Sequence, residues 1–348
     1  MFNKAKQYAV ESVTSGHPDK ICDQIADAIL DECLRQDKMS RVAVEVFGGH
    51  GLLVIGGEIT TNAIVDYEKI AKDVYREIGY DDTLRVLVNV VTQSPDISQG
   101  VDTGGAGDQG MMYGFATNET KEFLPRAVVN VHALASLLQS ARETEKLPWL
   151  MPDGKTQISI NDGKISSVLI STQHKSGISQ QEIRNNLVSK IIVPVIGDIS
   201  DIEILTNPTG NFESGGFGAD TGLTGRKLMV DTYCGLVPHG GGAFSGKDAT
   251  KVDRSAAYMC RFAAKNIVAR GDCNECLVSV AYAIGRAEPV MLSAIDEFGN
   301  DYSEILKKNF DFRPSAIIER LNLRSPIFQK TATYGHFGKE GFPWEQII

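Results

Sequence analysis

The chain has 348 residues, 42% hydrophobic and 23% charged, with 35 Lys and Arg against 44 Asp and Glu for a net charge of −9. That composition supplies a sizeable core over two or three domains and excludes disordered and fibrous chains. The acidic balance excludes a general binder of nucleic-acid backbone, so an anionic ligand must be met by local clusters of bases. No apolar run has the length of a secretory signal or a membrane span, and six scattered cysteines read as reduced thiols. A cytoplasmic protein without membrane or nucleic-acid partners is expected.

The first periodic segment is His17–Gln36, where Ile21, Ile25, Ile29, Leu30 and Cys33 recur at steps of three and four and predict a helix. Two strand-like runs, Arg41–Phe47 and Leu52–Thr60, follow across a Gly-Gly-His-Gly turn at 48–51, and a second helix is predicted over Ala63–Ile78. The same order returns. Leu124–Glu143 carries Val128, Val131, Leu134, Leu137 and Leu138 on one side of a helix. Gln157–Ile160 and Ile165–Thr172 flank an Asn161-Asp162-Gly163 hairpin turn, and Gln180–Ile192 is helical. A third round sets a helix at Asp253–Arg270, strands near Cys276–Tyr282 and Glu288–Ala294, and helical pieces at Tyr302–Asn309 and Pro314–Leu321. Leading helices near 17, 124 and 253 predict three related α+β modules joined by Gly-rich segments at 98–110 and 210–225. We expect an N-terminal module over 1–97, a mobile loop over 98–110, a central module over 111–213 and a C-terminal module over 214–348.

Glycine, 34 residues in all, concentrates in Gly100–Gly110, Gly210–Gly225 and Gly240–Gly246. Such loops let successive N–H groups face an anion, although each is equally readable as a turn. The third is the most informative. His239-Gly-Gly-Gly-Ala-Phe-Ser-Gly-Lys247-Asp248, followed by Lys251, Asp253 and Arg254, suits a polyphosphate at a helix start. It is not a Walker A loop, which needs Ser or Thr where Asp248 follows Lys247.

Gly16-His17-Pro18-Asp19-Lys20 is by itself a good helix start, with Pro18 and Asp19 suited to the first turn. The functional alternative sets His17 against phosphate and Asp19 on Mg²⁺, with Asp253 at the corresponding place in the third module sharing the metal. Glu45 and Glu58, at the first hairpin, are either solvated or ready for a substrate ammonium. Asp220, Arg226 and Lys227 are either a salt-bridged turn or part of a site. Cys273-x-x-Cys276 lacks a second ligand pair and reads as two ordinary thiols.

Taken together, GHPDK (16–20), GGEITT (56–61), QSPDI (93–97), GAGDQG (105–110), STQH (171–174), GLTGRK (222–227), HGGGAFSGKD (239–248), KVDRSAAY (251–258), AYAIG (281–285) and YGHFG (334–338) resemble the methionine adenosyltransferases, or S-adenosylmethionine synthases, over nearly the whole chain. The resemblance implies three α+β modules in a pseudo-threefold arrangement, with sheets packed together and helices outside. It also implies a homodimer with active sites at the subunit interface, paired as a dimer of dimers.

ATP and L-methionine are the implied substrates, with Mg²⁺, two per site, and K⁺. Methionine sulfur displaces triphosphate from ribose C5′, and the triphosphate is then hydrolysed to pyrophosphate and phosphate. A thioether attacks without losing a proton, so catalysis rests on alignment and on neutralising the departing charge.

Carried onto this chain, the implied catalytic residues are His17, Lys155, Arg226 and Lys247. ATP would also meet Asp153, Asp220, Lys227, Ala243 and Phe212, the last stacking on adenine. Methionine would meet Glu58, Gln93, Asp220 and Lys251. Asp19 and Asp253 would hold Mg²⁺, Glu45 would hold K⁺, and Ser94 to about Gly107 would close over the site. Two departures stand out: Asn211 and Phe217 replace the family's usual arginine and proline, and the loop after Gln99 is short, which predicts wider tolerance of methionine analogues.

One alternative is an ATP or tripolyphosphate phosphohydrolase, opposed by the presence of Glu58, Gln93 and Lys251. The other is a non-catalytic regulatory subunit, opposed by the complete set His17, Asp19, Lys155, Lys247 and Asp253.

Overall fold

The computed structural model describes residues 5–92 and 105–348. In chain order its main elements are β1 Gln7–Val13, α1 Pro18–Gln36, β2 Arg41–Gly49, β3 Leu52–Thr60, α2 Tyr67–Ile78, β4 Arg85–Val91, β5 Gly110–Thr117, α3 Arg126–Glu143, β6 Leu150–Asn161, β7 Lys164–His174, α4 Gln180–Leu187, β8 Glu203–Thr206, β9 Gly222–Leu223, α5 Val252–Ala269, β10 Glu275–Tyr282, β11 Met291–Asp296, α6 Ser303–Asn309 and α7 Pro314–Arg320. The helix expected over Gln180–Ile192 is an α-helix only to Leu187 and continues as a wider π turn over Val188–Ile192.

Three sheets share one construction. In each, a hairpin (β2–β3, β6–β7 or β10–β11) forms the antiparallel centre. β4 and β8 add parallel to the second hairpin strands β3 and β7. The first hairpin strand pairs antiparallel with a strand from a different part of the chain: β9 on β2, β1 on β6 and β5 on β10. The exchange is cyclic: the strand ahead of each leading helix crosses into another module's sheet. This realises the pseudo-threefold α+β architecture. The third sheet stops at three strands, in the order β11-β10-β5. The modules are therefore laced by backbone hydrogen bonds, and pulling one away would expose a raw strand edge.

Helices α1 and α5 are almost completely enclosed. All of α1 except Glu32, Arg35 and Gln36 is buried, and so is all of α5 except Asp253 and Ala269. One side of α1 packs Ile21, Ile25 and Ile29 into the core at 0% exposure, each contributing about 1.5–3 kcal/mol. Its other side is covered by loops from the C-terminal part of the chain. The uncovered surfaces are sheet faces, where Phe47, Leu87, Met111 and Met291 stand between 38% and 49% exposed. Among the described residues, no helix is long and apolar enough to cross a membrane.

Candidate active site

His17 caps α1, and its ring Nδ1 accepts the Asp19 N–H at 3.2 Å. Burial, and then the Lys227 ammonium, hold this imidazole far below its ordinary value, at about 3. The ring is neutral near pH 7, and with Nδ1 used as acceptor its proton sits on Nε2. His17 is thus a fixed hydrogen-bond donor.

Asp19 is buried. Its Oδ1 accepts the Leu223 N–H at 3.0 Å, and its Oδ2 accepts from Lys227 Nζ at 2.6 Å. Arg226 Nε lies 3.5 Å from Oδ1. Burial pushes this carboxyl up, but the Lys227 hydrogen bond and the Leu223 amide outweigh it and keep the group below the usual carboxylate range. Lys155 enters the same neighbourhood from β6, opposite Val13 at the end of β1, and its charge also lowers His17. Asp153, on the same strand, accepts the Gly216 N–H at 2.9 Å, and burial raises it to about 6.

A second group lies on the bare face of the first sheet. Ala43 faces Glu58 and Glu45 faces Gly56 across β2 and β3, so the two glutamates are diagonal neighbours on one face. On the other edge of β2, Lys247 forms an antiparallel bridge with Ala43. The Val44 N–H donates to the Gly246 carbonyl and the Asp248 N–H to the Val42 carbonyl, both at 3.0 Å. Lys247, Ala43 and Glu58 therefore form one cross-sheet row. With Glu45, Phe47, Leu223 and Ala243 they line a cavity of about 460 Å³, the size of a small-molecule site. Lys247 Nζ is 2.8 Å from Asp253 Oδ2. Lys251 turns to Asp248 Oδ2 at 2.5 Å.

Other expected residues are more scattered. Phe212 is half-buried, its N–H donating to His174 Nε2 at 3.0 Å. The exposed Asn211 accepts from Gln180 Nε2. Asp220 is exposed and accepts the Thr221 N–H. Phe217 lines no pocket: it is fully buried and stacked on Tyr75 at 5.5 Å, which stacks on Tyr80 at 5.0 Å. That departure from the family pattern therefore anchors a loop. Gln93 and residues 98–104 of the expected loop lie outside the described residues. Residue 106 is tied down, its N–H donating to the Arg286 carbonyl and its carbonyl accepting from Gly285.

Asp19 and Asp253, expected to share a metal, each hold a lysine, Lys227 and Lys247 respectively. Among the described residues, no three His, Cys, Asp or Glu side chains converge as a metal cage. Isolated carboxylates facing a phosphate site still fit Mg²⁺, which keeps water ligands and takes one or two carboxylates together with phosphate oxygens.

The motifs pointed to Asp19 but not to Asp23, Asp27 and Asp31 behind it. Helix α1 carries Asp19, Asp23, Asp27 and Asp31, all buried, and the four accept backbone N–H groups from Leu223, Gly225, Gly246, and Phe328 with Gln329, respectively. The i, i+4 repeat of aspartates is the signal that finds them.

The chain matches the S-adenosylmethionine synthetase N-terminal domain over residues 5–96, the central domain over 103–212 and the C-terminal domain over 214–346. The S-adenosylmethionine synthase of Mesoplasma florum is 50% identical, covering 98% of this chain and 97% of its own length. S-adenosylmethionine synthase 1 of Rhodospirillum rubrum is 48% identical, over 97% of this chain and 94% of its own. The Treponema denticola S-adenosylmethionine synthase is 46% identical, over 99% and 97%.

Proposed function

The chain belongs to the S-adenosylmethionine synthase family and makes S-adenosylmethionine from ATP and L-methionine, and we propose that both groups of residues described above serve this one reaction. A lone pair on the methionine sulfur attacks ribose C5′, the C5′–O bond breaks, and triphosphate leaves with the bonding electrons. No proton need leave the sulfur. His17 donates its Nε2–H to the oxygen that departs from C5′, and its neutrality keeps that donor in place across physiological pH. Lys155, Arg226, Lys227 and Lys247 surround the triphosphate and neutralise charge as it grows. The same bases then hold triphosphate while water cleaves it.

The observation that carries this reading is the pairing of bases with acids. Lys227 and Arg226 rest on Asp19, and Lys247 rests on Asp253. A nucleotide triphosphate arriving with a divalent cation exchanges both partners at once, bases to phosphate and carboxylates to metal, leaving no buried charge alone. The family is metal-dependent. In our reading Asp19 and Asp253 hold Mg²⁺, two ions per site, and Glu45 holds K⁺. Bound Mg²⁺ supplies Lewis-acid neutralisation of phosphate oxygens. Glu58 takes the methionine ammonium, with Gln93, Asp220 and Lys251 beside it, and Phe212 and Ala243 flank adenine.

A second copy of the chain completes the site. The row Phe47–Val54–Leu87 and the row Met111–Ala281–Met291 run in register across bare sheet faces, which favours a homodimer built on those faces. Such dimers then pair as a dimer of dimers. The six free thiols suit a reducing, cytoplasmic setting.

The test is mass spectrometry of protein incubated with ATP, Mg²⁺ and K⁺, with and without methionine. A methionine-dependent sulfonium product with equal pyrophosphate and phosphate is expected. ATP cleavage without that product would overturn the proposal.

A further inference from the structure

The two loops that carry the phosphate-facing bases are fastened to α1 by one repeated device. Gly225 precedes Arg226 and Lys227, and Gly246 precedes Lys247. Both glycines sit in the left-handed region, at φ +80° and +78°. A Cβ on Gly225 would lie 2.5 Å from Ala243 Cβ, and one on Gly246 would lie 2.0 Å from the Val44 carbonyl oxygen. The Gly225 N–H donates to Asp23 Oδ1 and the Gly246 N–H donates to Asp27 Oδ1, each at 2.9 Å.

Asp23 and Asp27 stand one turn apart on α1, both at 0% exposure. Each is fixed by a buried base. Lys20 Nζ lies 2.9 Å from Asp23 Oδ2 and 2.5 Å from Asp231 Oδ1. Arg254 grips Asp27 with two hydrogen bonds, at 2.7 and 2.8 Å, and its Nη1 also donates to the Lys247 carbonyl at 3.0 Å. The backbone of Lys247 is therefore held from both sides by one ion pair. The guanidinium continues through its Nε to Tyr258 Oη at 3.1 Å, and Tyr258 Oη meets His336 Nδ1 at 2.8 Å. A carboxylate accepting an amide through such a charge-assisted bond is a stiffer anchor than a neutral acceptor. The same helix presents His17 at its N-terminus.

We propose, resting on the assignment of Lys227 and Lys247 to the triphosphate, that Asp23 and Asp27 are positioning residues for the reaction. They touch neither substrate. They act by fixing where Lys227 and Lys247 project from their own loops, and a displacement of about 1 Å at such a centre is enough to cost on the order of 100-fold in rate.

Double-mutant cycles in the full-length protein test this. Asp27→Asn keeps the size of the side chain and an acceptor oxygen for Gly246 but removes the charge. Turnover should fall about 10- to 100-fold with KM for ATP and methionine changed less than about threefold. In a Lys247→Ala background the same substitution should cost less than about twofold more, because a displaced lysine and a missing one are equivalent. Asp23→Asn should behave in the same way against Lys227→Ala.

Equal losses from Asp27→Asn in both backgrounds would overturn the positioning role and leave Asp27 a fold residue. Near-normal turnover of Lys247→Ala alone would instead overturn the assignment of that lysine to the triphosphate. Should Asp27→Asn fail to fold, Arg254→Lys, which cannot reach the carboxylate and the Lys247 carbonyl with the same planar fork, is read by the same cycle with the same two outcomes.

Discussion

The region around His17 and the region around Glu58 carry similar side chains in opposite settings. Around His17 almost every polar atom is buried and spoken for. Asp19 holds an amide and an ammonium, the ring is capped on its own helix, and β9 is stitched between β2 and α1. Around Glu58 the carboxylates are exposed on a bare sheet face above an open cavity of about 460 Å³. A single chain preorganises the first region by itself. The second becomes water-excluded, and therefore electrostatically strong, only when another surface covers it.

Lys247 belongs to the open region but is anchored from the closed one. Lys247→Ala should lower turnover by about 100- to 1,000-fold while thermal unfolding stays near normal, since charge on the leaving triphosphate goes unmatched. Near-normal steady-state turnover would refute its role.

Next comes His17→Asn, expected to cost about 100-fold in kcat and much less in KM for ATP, because its donor acts on the breaking bond. Equal losses in both would reduce His17 to a ground-state contact. Leu87→Asp probes the open region. Placed in the apolar row away from the ionic groups, it should halve the assembly's mass by light scattering and cut turnover about tenfold with circular dichroism unchanged. An unchanged mass would put the interface elsewhere.

The smallest effect is in pH. His17 titrates in the folded chain at about 3, below the ordinary histidine value. Folding therefore discourages its protonation, and its contribution to stability is present above about pH 6.5 and is lost as pH falls toward 3. The turnover profile between pH 5 and 8 should accordingly lack a limb that His17→Asn removes. Finding such a limb would mean the ring titrates in the working enzyme.

Most helices and the three hairpins were legible because their signals are local. Ile21, Ile25 and Ile29 mark α1, and Asn161-Asp162-Gly163 marks the β6–β7 turn. The crossing strands were not. Val13 pairs with Lys155 and Phe47 with Leu223, and no periodicity within seven residues of β1, or two of β9, encodes a partner so distant in sequence. Gly210–Gly225 looked like a linker because its glycines outnumber its apolar residues, yet Phe217 within it is core.

In the site, GHPDK and HGGGAFSGKD pointed to His17, Asp19 and Lys247. They did not name Asp23, Asp27 or Arg254, whose charges suggest solvent until their partners are known. The burial of α1 was hidden for the same reason: its aspartates are paired inward with bases and amides from other parts of the chain.

In the proposed homodimer the closed region of one chain and the open region of the other make one active site. Lys155 lies in the closed region and Lys247 in the open one, and alanine variants of each should be nearly inactive alone. Co-expressed with different tags and purified as a mixed dimer, the two should regain about half the wild-type turnover, because one of the two sites then receives both intact lysines. A mixed dimer as inactive as its parents would overturn the two-chain site and place the whole site within a single chain.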